Sequence, residues 1–484
     1  MSTPFQFLQN VKSSPMVHIG FNYSPLFDMI NGRFFKGYDE QYYLNGGIMD
    51  NNATVGGSNT QKTGQLVFAC RRFLQRFPMG VIIYVDSEST LDIGRLADAV
   101  DADFGIPGYF YDEIFDKRFI YKTSKDEFDG TAFHNLIKDA YNNFKDNKDN
   151  PDMYVQTPFL DKENKRIKCI APIMVICDSL SDLRFTEASA KFTEGDVDEG
   201  GKKRTRDMEF GNLKRVVFED SSNLGGIAGL RLWWVGQIAD MINMDGKPME
   251  KQSTFIRPGK KIAKCPKAIL QLPSIGYEII KGSGLKVDQE WMYPNPFGRD
   301  VVIDADAREN PDLLLYSFTM YRNKGGSSGL QCSFIGSQSD GIQEGLSMYH
   351  TIKTDGYFGL SIGSKVSHAC DLMPDLKVGR TTIRKIVNEN HQFYRAITIC
   401  YQMWFMQNYW MRLDHKYRMT PAELYAKVAE AGYDWTELLE NSVDYWHLNP
   451  DIKKHTLTTM QLLAVACGEG SIPWASNRLL KQAA

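Results

Sequence analysis

Residues 56–63 have the residue types of a loop that holds phosphate. In order they are Gly56, Gly57, Ser58, Asn59, Thr60, Gln61, Lys62 and Thr63. In the pattern G-x-x-x-x-G-K-[ST], backbone N–H groups surround the phosphates, while the Lys and the hydroxyl reach phosphate and Mg²⁺. Gln61 stands where that pattern has its second Gly. The sequence therefore predicts a phosphate-binding loop that departs from the consensus at one position, and a surface glycine-rich turn is the alternative.

Two short apolar runs, each followed by carboxylates, are typical of strands buried on both faces of a parallel sheet. Residues 81–85 lead into Asp86 and Glu88, and residues 173–177 lead into Asp178. Ligands of such sheets bind beyond the carboxyl ends of the strands, so we expect these carboxylates at the same edge as the loop. A phosphate cradle, a metal-holding Asp and a carboxylate near the attacking water are what nucleotide hydrolysis requires. A turn former or helix cap is the alternative for Asp178.

The elements around these residues favour an α/β fold. Residues 64–77 predict a helix with one apolar face, whose N–H groups and dipole would point at the phosphates. Further predictions are strands at 232–236 and 268–272, a hairpin at 314–335, and helices from about residue 380 onward. Residues 112–168 are rich in charged residues and Asn, which is typical of a solvated excursion between core strands.

The composition excludes several classes of protein. The 484 residues are 43% hydrophobic and 12% aromatic, which is enough for large cores and argues against global disorder. The net charge of −3 means that any nucleic-acid site must come from local patches. The eight cysteines show no C-x-x-C pair or Cys/His metal spacing, which predicts reduced thiols inside a cell and no structural zinc. No run approaches the roughly 20 apolar residues that span a bilayer, and the N-terminus lacks a secretory pattern. We therefore expect a cytoplasmic protein with no membrane partner.

The order of these features resembles the RecA family, and within it the recombinases of T4-type bacteriophages. The shared order is a Gly-Gly pair, the phosphate loop, an Asp-Ser-Glu strand, an Asp-Ser-Leu strand, a strand ending in Gln237, a basic segment and a cationic hairpin. The likeness runs from about residue 46 to about residue 358, with long insertions. The phosphate loop of that branch also has a large residue in place of the second Gly. The resemblance implies a RecA-like fold, ATP and Mg²⁺ as cofactors, and the cytoplasm of an infected bacterial host as the location.

The resemblance assigns roles to residues at the sheet edge. Lys62 would contact the β- and γ-phosphates, while Thr63 and Asp178 would hold Mg²⁺. Glu88 would be the catalytic carboxylate that orients the attacking water. Its alternative is a helix-capping or solvated acid.

Three further roles depend on the family order. Gln237 would sense the γ-phosphate and report nucleotide state to the basic segment after it, although a Gln at a strand end is unremarkable. Arg322 and Lys324 would reach the nucleotide of a neighbouring subunit, where such cations raise rates by around 10³–10⁵. A solvated hairpin turn is their alternative. If these roles hold, ATP lies between protomers and the active form is a helical filament.

Two basic segments, at about 185–215 and 244–267, match the family's DNA-binding loops in position. The cations predicted to bind DNA are Lys202, Lys203, Arg204, Arg206, Lys251, Arg257, Lys260, Lys261 and Lys264. Interleaved Phe210 and Phe255 favour single-stranded nucleic acid, because cations follow phosphates while aromatic rings stack on bases. A merely solvated charged face is the alternative, and the acidic cluster at 194–199 departs from the family pattern.

We predict three regions along the chain. These are an N-terminal arm for oligomerisation at 1–40, a RecA-like ATPase core at 41–375 and a C-terminal helical domain at 376–484. The arm carries Phe5, Phe7 and Leu8, which could dock on a neighbouring subunit. The aromatic run at 394–417 predicts the core of a helical domain rather than a base-stacking surface, because it is too apolar to stay exposed.

The sequence thus favours an ATP-dependent recombinase that binds single-stranded DNA and exchanges strands with homologous duplex DNA. Phage single-strand-binding or mediator proteins are further expected partners. A hexameric motor of the helicase type is one alternative, since it also places basic loops and cations at subunit interfaces. A degenerate nucleotide-binding scaffold is another, because Gln61 breaks the loop consensus.

Overall fold

The computed structural model describes most of the chain. The described residues are 18–126, 128–186, 201–241, 253, 255–286, 293, 309–337, 340–364 and 367–476. For residues 201–207, 283, 286, 309–311 and 362–364 it describes the backbone alone.

The strands are numbered in chain order. They are β1 Arg33–Lys36, β2 Tyr42–Asn45, β3 Asn51–Gly56, β4 Val81–Asp86, β5 Phe119–Thr123, β6 Tyr154–Leu160, β7 Arg166–Ile170, β8 Ile173–Asp178, β9 Leu230–Asp240, β10 Lys260–Ala263, β11 Ile275–Lys286, β12 Glu309–Asn323, β13 Gln331–Ser337, β14 Gly341–Ile342, β15 Leu360–Ser364, β16 Ser367–Cys370, β17 Met373–Gly379, β18 Ser442–Val443 and β19 His455–Thr456.

The α-helices follow the same numbering. They are α1 Pro25–Asn31, α2 Lys62–Arg76, α3 Ile93–Phe104, α4 Gly130–Asn147, α5 Gly201–Ile227, α6 Glu344–Thr354, α7 Ile383–Glu389, α8 His391–Tyr409, α9 Pro421–Glu430, α10 Trp435–Glu440 and α11 Thr459–Ala466. Among the described residues, no helix has both the length and the apolar character that crossing a bilayer demands.

A mixed, mostly parallel sheet organises the molecule. Its strand order is β14-β13-β12-β11-β3-β9-β8-β4-β5, with β10 paired to β9. The strands from β11 to β5 in this order are parallel to one another, and β12, β13 and β14 continue the sheet antiparallel. The fold class is therefore α/β, as the sequence predicts. The predicted strands at 81–85, 173–177 and 232–236 and the hairpin at 314–335 are confirmed.

The parallel strands are buried on both faces. In β8, Met174 and Ile176 belong to the core beneath α2 and α3, whereas Val175 and Cys177 belong to the core beneath α4 and α5. Successive side chains of a strand point to opposite faces, so a continuous apolar run requires helices on both sides. The helix after β4 lies on one face and the helix after β8 on the other, which opens a crevice between these strand ends where ligands bind.

The segment after β18 packs against the C-terminal end of α2. The ring centroids of Phe77 and Trp446 lie 5.1 Å apart, and Phe21 lies 4.8 Å from Phe77. The backbone N–H of Leu448 donates to the carbonyl of Arg76 at 2.9 Å. Residues from the predicted arm, core and C-terminal domain thus share one hydrophobic cluster, and the boundaries at 40 and 375 stay predictions.

The aromatic run near the C-terminus is a core, as predicted. Tyr401, Trp404 and Phe405 on α8 are buried, and their rings lie within 5.6 to 6.4 Å of one another. The predicted helix start at Thr420 is also confirmed, because its hydroxyl and the Glu423 carboxylate form a reciprocal capping box.

Three sequence predictions are wrong. Residues 112–168 predict a solvated excursion, but Phe119–Thr123 form β5 at the edge of the central sheet, and Phe133 and Ile137 of α4 are buried in the core against that sheet. Residues 268–272 were predicted to form a strand, but Lys267–Leu270 form a 3₁₀ helix. Pro266 caps this turn, and Pro273 follows it closely, so the apolar run is too short to pair in the sheet. Residues 201–215 were assigned to a loop, but they begin α5. Six Lys or Arg residues and two glycines fall within 201–215, so this stretch lacks the apolar periodicity that indicates a helix.

Candidate active site

The predicted phosphate loop connects β3 to α2. Gln61 precedes the helix with φ 61° and ψ 26°, the left-handed conformation that the consensus Gly would supply freely. The left-handed conformation destabilises a residue with a Cβ by roughly 1–2 kcal/mol. The loop therefore keeps its shape with Gln61 at a modest energetic cost. Gly56 is required for the same shape, because an added Cβ would lie 2.5 Å from the Thr60 hydroxyl oxygen and 2.8 Å from the Ile279 carbonyl oxygen.

The loop offers donors to an anion. The first hydrogen bond of α2 joins the Gln65 N–H to the Gln61 carbonyl at 2.9 Å. The N–H groups of the helix's first turn, at Lys62, Thr63 and Gly64, therefore have no partner within the helix. Such a terminus, with its positive dipole end, is suited to phosphate.

Lys62 lies over the loop and close to two carboxylates. Its Nζ donates to the Gly57 carbonyl at 2.6 Å. Burial lowers the pKa of Lys62, and the negative charges of Asp178 and Glu88 act against that shift. The side chains of Lys62, Asp178 and Glu88 thus converge on one site.

Asp178 ends β8 beside the first turn of α2. Its Oδ2 accepts hydrogen bonds from Thr63 Oγ1 at 2.9 Å and from the Tyr84 hydroxyl at 2.7 Å. Burial raises the pKa of Asp178 to about 6 against these two hydrogen bonds, and the charges of Asp86 and Glu88 add to the increase. A hydroxyl beside a carboxylate is the oxygen set that Mg²⁺ prefers, so these residues fit that ion.

Asp86 builds the turn that carries Glu88. Its carboxylate accepts from the backbone N–H groups of Glu88 at 3.1 Å, Thr90 at 2.8 Å and Leu91 at 2.7 Å. The Tyr121 hydroxyl donates to it at 2.9 Å. Asp86 was expected at the sheet edge but without a role of its own. An Asp that begins a Ser-rich turn is the signal that could have indicated one.

Glu88 belongs to a polar cluster at the ends of β4, β8 and β9. Its Oε1 accepts from Ser179 Oγ at 2.9 Å and from Gln237 Nε2 at 2.9 Å. The same amide nitrogen also contacts Asp182 Oδ2 at 3.0 Å. The structure therefore brings Gln237 to the predicted catalytic carboxylate, and it adds Asp182, which the sequence analysis did not single out.

Gln237 also begins an antiparallel ribbon beyond the parallel sheet. Here β9 continues to Asp240 and pairs with β10, so that Gln237 lies opposite Ala263 and Asp240 lies opposite Lys260. A residue that contacts Glu88 thus lies on the strand that pairs with β10, which is part of the second basic segment.

Three cations of the second basic segment have acidic partners within the chain. Arg257 Nε donates to Oε1 of the fully buried Glu278 at 2.5 Å, and Lys260 pairs with Asp240. Lys264 Nζ lies 3.9 Å from a carboxylate oxygen of Asp182. Lys261 is exposed on β10. Lys261 and Lys264 are the exposed cations of these four, and so the more accessible to a ligand.

The other predicted DNA-binding residues are described less fully. Lys202, Lys203, Arg204 and Arg206 lie on the first turns of α5, where only the backbone is described. Lys251, the acidic cluster at 194–199 and the first residues of the N-terminal arm lie outside the described residues.

Arg322 and Lys324 lie at the opposite edge of the sheet from the phosphate loop. Arg322 pairs with Gly276, near the start of β11, whereas the phosphate loop follows the far end of the adjacent strand β3. Lys324 Nζ donates to the Leu272 carbonyl at 3.1 Å. Within one chain these cations do not meet Lys62, and their role towards a neighbouring subunit stays a prediction.

The chain matches no protein-family model, and no curated protein matches it. The functional argument therefore depends on the geometry of the site.

Proposed function

We propose that this protein is an ATPase of the RecA family that polymerises on single-stranded DNA and carries out homologous pairing and strand exchange. Within that family the sequence order resembles UvsX, the recombinase of T4-type bacteriophages. The observation that carries the proposal is the convergence of Lys62, Thr63, Asp178 and Glu88 at the carboxyl edge of the parallel strands. This set has the parts that phosphoryl transfer from ATP requires.

Each residue has a defined task in the proposed reaction. The ammonium of Lys62 and the N–H groups of the loop would bind the triphosphate of ATP. Thr63 and Asp178 would hold Mg²⁺, which when bound neutralises charge on the phosphate oxygens. The Glu88 carboxylate would accept a hydrogen bond from the attacking water and so orient it. The turn built by Asp86 keeps that carboxylate in place.

The Gln237 strand supplies the proposed coupling to DNA. The amide of Gln237 donates to Glu88 Oε1 at 2.9 Å. Its strand, β9, continues into the ribbon in which β10 carries Lys260 and Lys261. A change at the nucleotide would move the amide, and the pairing of β9 with β10 would carry that change to the basic residues. ATP would favour the state that grips DNA, and hydrolysis would release it.

The proposed assembly is a filament in which each nucleotide lies between two subunits. Arg322 and Lys324 lie at the sheet edge opposite their own phosphate loop, as cations that serve a neighbour would. Homologous duplex DNA would be the second substrate, and phage single-strand-binding or mediator proteins would be further partners.

Electron microscopy tests the assembly directly. The protein would be imaged with single-stranded DNA and a slowly hydrolysed ATP analogue. We expect open helical filaments, together with ATP hydrolysis that single-stranded DNA stimulates. Closed rings that unwind a forked duplex would instead identify a motor of the helicase type.

A Lys62→Ala variant separates an ATPase from a nucleotide-binding scaffold. The ammonium of Lys62 lies in the loop that would hold the triphosphate, so we expect its loss to abolish hydrolysis and ATP-dependent filament formation. Lys453→Ala, on an exposed segment far along the chain, is the matched control. Assembly and DNA binding that persist unchanged in Lys62→Ala would favour the scaffold.

A further inference from the structure

Asp182 lies between the Glu88 cluster and the basic segment. Its Oδ2 accepts from Gln237 Nε2 at 3.0 Å and lies 3.2 Å from Ser179 Oγ. Its other oxygen, Oδ1, lies 3.9 Å from Lys264 Nζ. One carboxylate thus contacts both an amide of the nucleotide site and a cation of the segment predicted to bind DNA.

The donor groups of this cluster carry fewer hydrogens than the cluster has donor–acceptor contacts. Glu88 Oε1 and Asp182 Oδ2 each contact both Ser179 Oγ and Gln237 Nε2, which makes four contacts. A hydroxyl carries one hydrogen and a primary amide carries two, so only three hydrogens are available. Both N–H donors of Gln237 are already directed at carboxylates. Gln237 can therefore donate to a nucleotide only after one of the two carboxylates releases it.

The backbone around Asp182 and Lys264 is tied together. The buried Lys214 donates through Nζ to the Ser181 carbonyl at 2.5 Å and to the Lys264 carbonyl at 3.3 Å. The Ser181 hydroxyl in turn accepts from the Gln237 N–H at 2.9 Å. The turn that carries Asp182 is thus held close to the ends of β9 and β10.

The side-chain contact between Asp182 and Lys264 is the exchangeable one. It is long, and the Lys264 side chain is 73% exposed. Exposed ion pairs of this kind contribute little stability and yield readily to a competing anion. A DNA phosphate could therefore take Lys264 without disturbing the backbone around it.

We propose that Asp182 is a positioning residue that holds Gln237 in a resting state until a phosphate of single-stranded DNA takes Lys264. Without that cation, the charges of Asp182 and Glu88 repel each other across Gln237 with less compensation. The Asp182 carboxylate then turns towards solvent and leaves one amide hydrogen for the nucleotide. This inference rests on the proposed function and names how DNA would stimulate the same site.

The test is steady-state ATP hydrolysis by the full chain, with and without single-stranded DNA, at saturating ATP. We expect Asp182→Asn to raise the DNA-free kcat by about tenfold, the effect of one hydrogen bond to a charged group. The DNA-stimulated kcat should stay unchanged, so the ratio of the two rates falls. Asp182→Glu, which keeps the carboxylate, should restore part of that ratio. Asp182→Ser also removes the carboxylate and serves as a second variant in case the new Asn side chain disturbs folding.

Two further variants complete the design. Lys264→Gln removes the cation that DNA would take, so its DNA-free rate should rise while stimulation falls. Asp152→Asn, at an exposed position on a short 3₁₀ helix, is the matched control and should leave both rates unchanged. A structural role for Asp182 would move both rates by the same factor, and that result would overturn the inference.

The outcome also separates this inference from the proposed function. If the wild-type protein hydrolyses ATP with DNA stimulation but Asp182→Asn keeps the same ratio, only the role of Asp182 is rejected. If the wild-type protein shows no DNA-stimulated hydrolysis, the proposed function fails and the role of Asp182 fails with it.

Discussion

The carboxyl edge of the sheet and the basic segment after β9 are held together in different ways. At the edge, the parallel ladder sets Asp86 directly opposite Asp178, so two carboxylates are fixed side by side by backbone hydrogen bonds. In the basic segment, Arg257, Lys260 and Lys264 are instead held by ion pairs with acids from other elements.

The groups at the sheet edge are therefore fixed in position, whereas the cations of the basic segment can exchange one partner for another. A site for phosphoryl transfer gains from fixed positions, because catalysis loses rate when its groups are misplaced. A surface for a flexible polyanion gains from cations that leave one partner for another, provided that the first contact is weak. Lys264 meets that condition and Lys261 is exposed, whereas Arg257 is paired with a buried Glu.

The largest expected effect tests the rigid site. Replacing Glu88 by Gln keeps its size but removes the carboxylate that would orient water, so kcat should fall by about 10²–10⁴-fold. The KM for ATP should change little, because Glu88 does not form part of the phosphate loop. Phosphate release with single-stranded DNA measures both constants. Glu113→Gln, at an exposed acid on another element, is the control, and an unchanged kcat for Glu88→Gln would remove Glu88 from the reaction.

The next largest effect tests whether Arg257 stabilises the fold through Glu278 rather than contacting DNA. Arg257→Ala leaves the buried Glu278 without its cation, which should lower the free energy of unfolding by about 3 kcal/mol, measured in urea. The double variant Arg257→Met, Glu278→Met should recover most of that loss. Stability that stays unchanged, together with weaker DNA binding, would instead place Arg257 among the DNA contacts.

A smaller effect concerns the stability cost of Asp178 in the absence of metal. Because burial raises the pKa of Asp178 from 3.8 to about 6, the folded state keeps a proton that the unfolded chain has lost between these values. Wild-type stability should therefore fall as pH rises through that window. Asp178→Asn should match the wild type near pH 4 and exceed its free energy of unfolding by roughly 3 kcal/mol above pH 6.

Urea unfolding in the presence of a chelator, at several pH values, measures this difference. Asp152→Asn is the control, since its carboxylate is exposed. A difference between Asp178→Asn and the wild type that does not vary with pH would contradict the expected titration.

The smallest effect tests the exchangeable surface. Lys261→Ala should weaken binding to single-stranded DNA and flatten the slope of log K against log salt by about 0.7, the value for one lost phosphate contact. Lys260→Ala should change the slope less, because Asp240 already holds that ammonium. Fluorescence anisotropy at several salt concentrations measures both slopes, with Lys453→Ala as the control. Equal slopes for Lys261→Ala and the wild type would remove this ribbon from the DNA site.

Residues at strand ends could be placed from the sequence. Glu88 and Asp178 follow apolar runs, and parallel pairing brings the ends of such runs to one edge. The position of Lys62 could also be predicted, because a loop that joins a buried parallel strand to the next helix lies at that same edge. Local pattern and sheet geometry are sufficient for these positions.

Contacts between distant turns could not be placed in the same way. The role of Asp182 depends on how the turn after β8 meets β9, and that of Arg257 depends on a Glu buried on β11. Neither relation leaves a periodic signal in the sequence. The start of α5 was missed because residues 201–207 contain no large apolar side chain, so they show no helical periodicity in the sequence.

The aromatic packing behind α2 has a consequence for shortened versions of the chain. Trp446 lies 5.1 Å from Phe77, at the end of the helix whose first turn forms the phosphate loop. Deleting the C-terminal segment that contains Trp446 would expose this apolar surface to water, at roughly 25 cal/mol for each Å². Such a truncation would loosen the helix that begins at the proposed nucleotide site, so weaker ATP binding by a shortened protein would not show that the missing residues touch ATP.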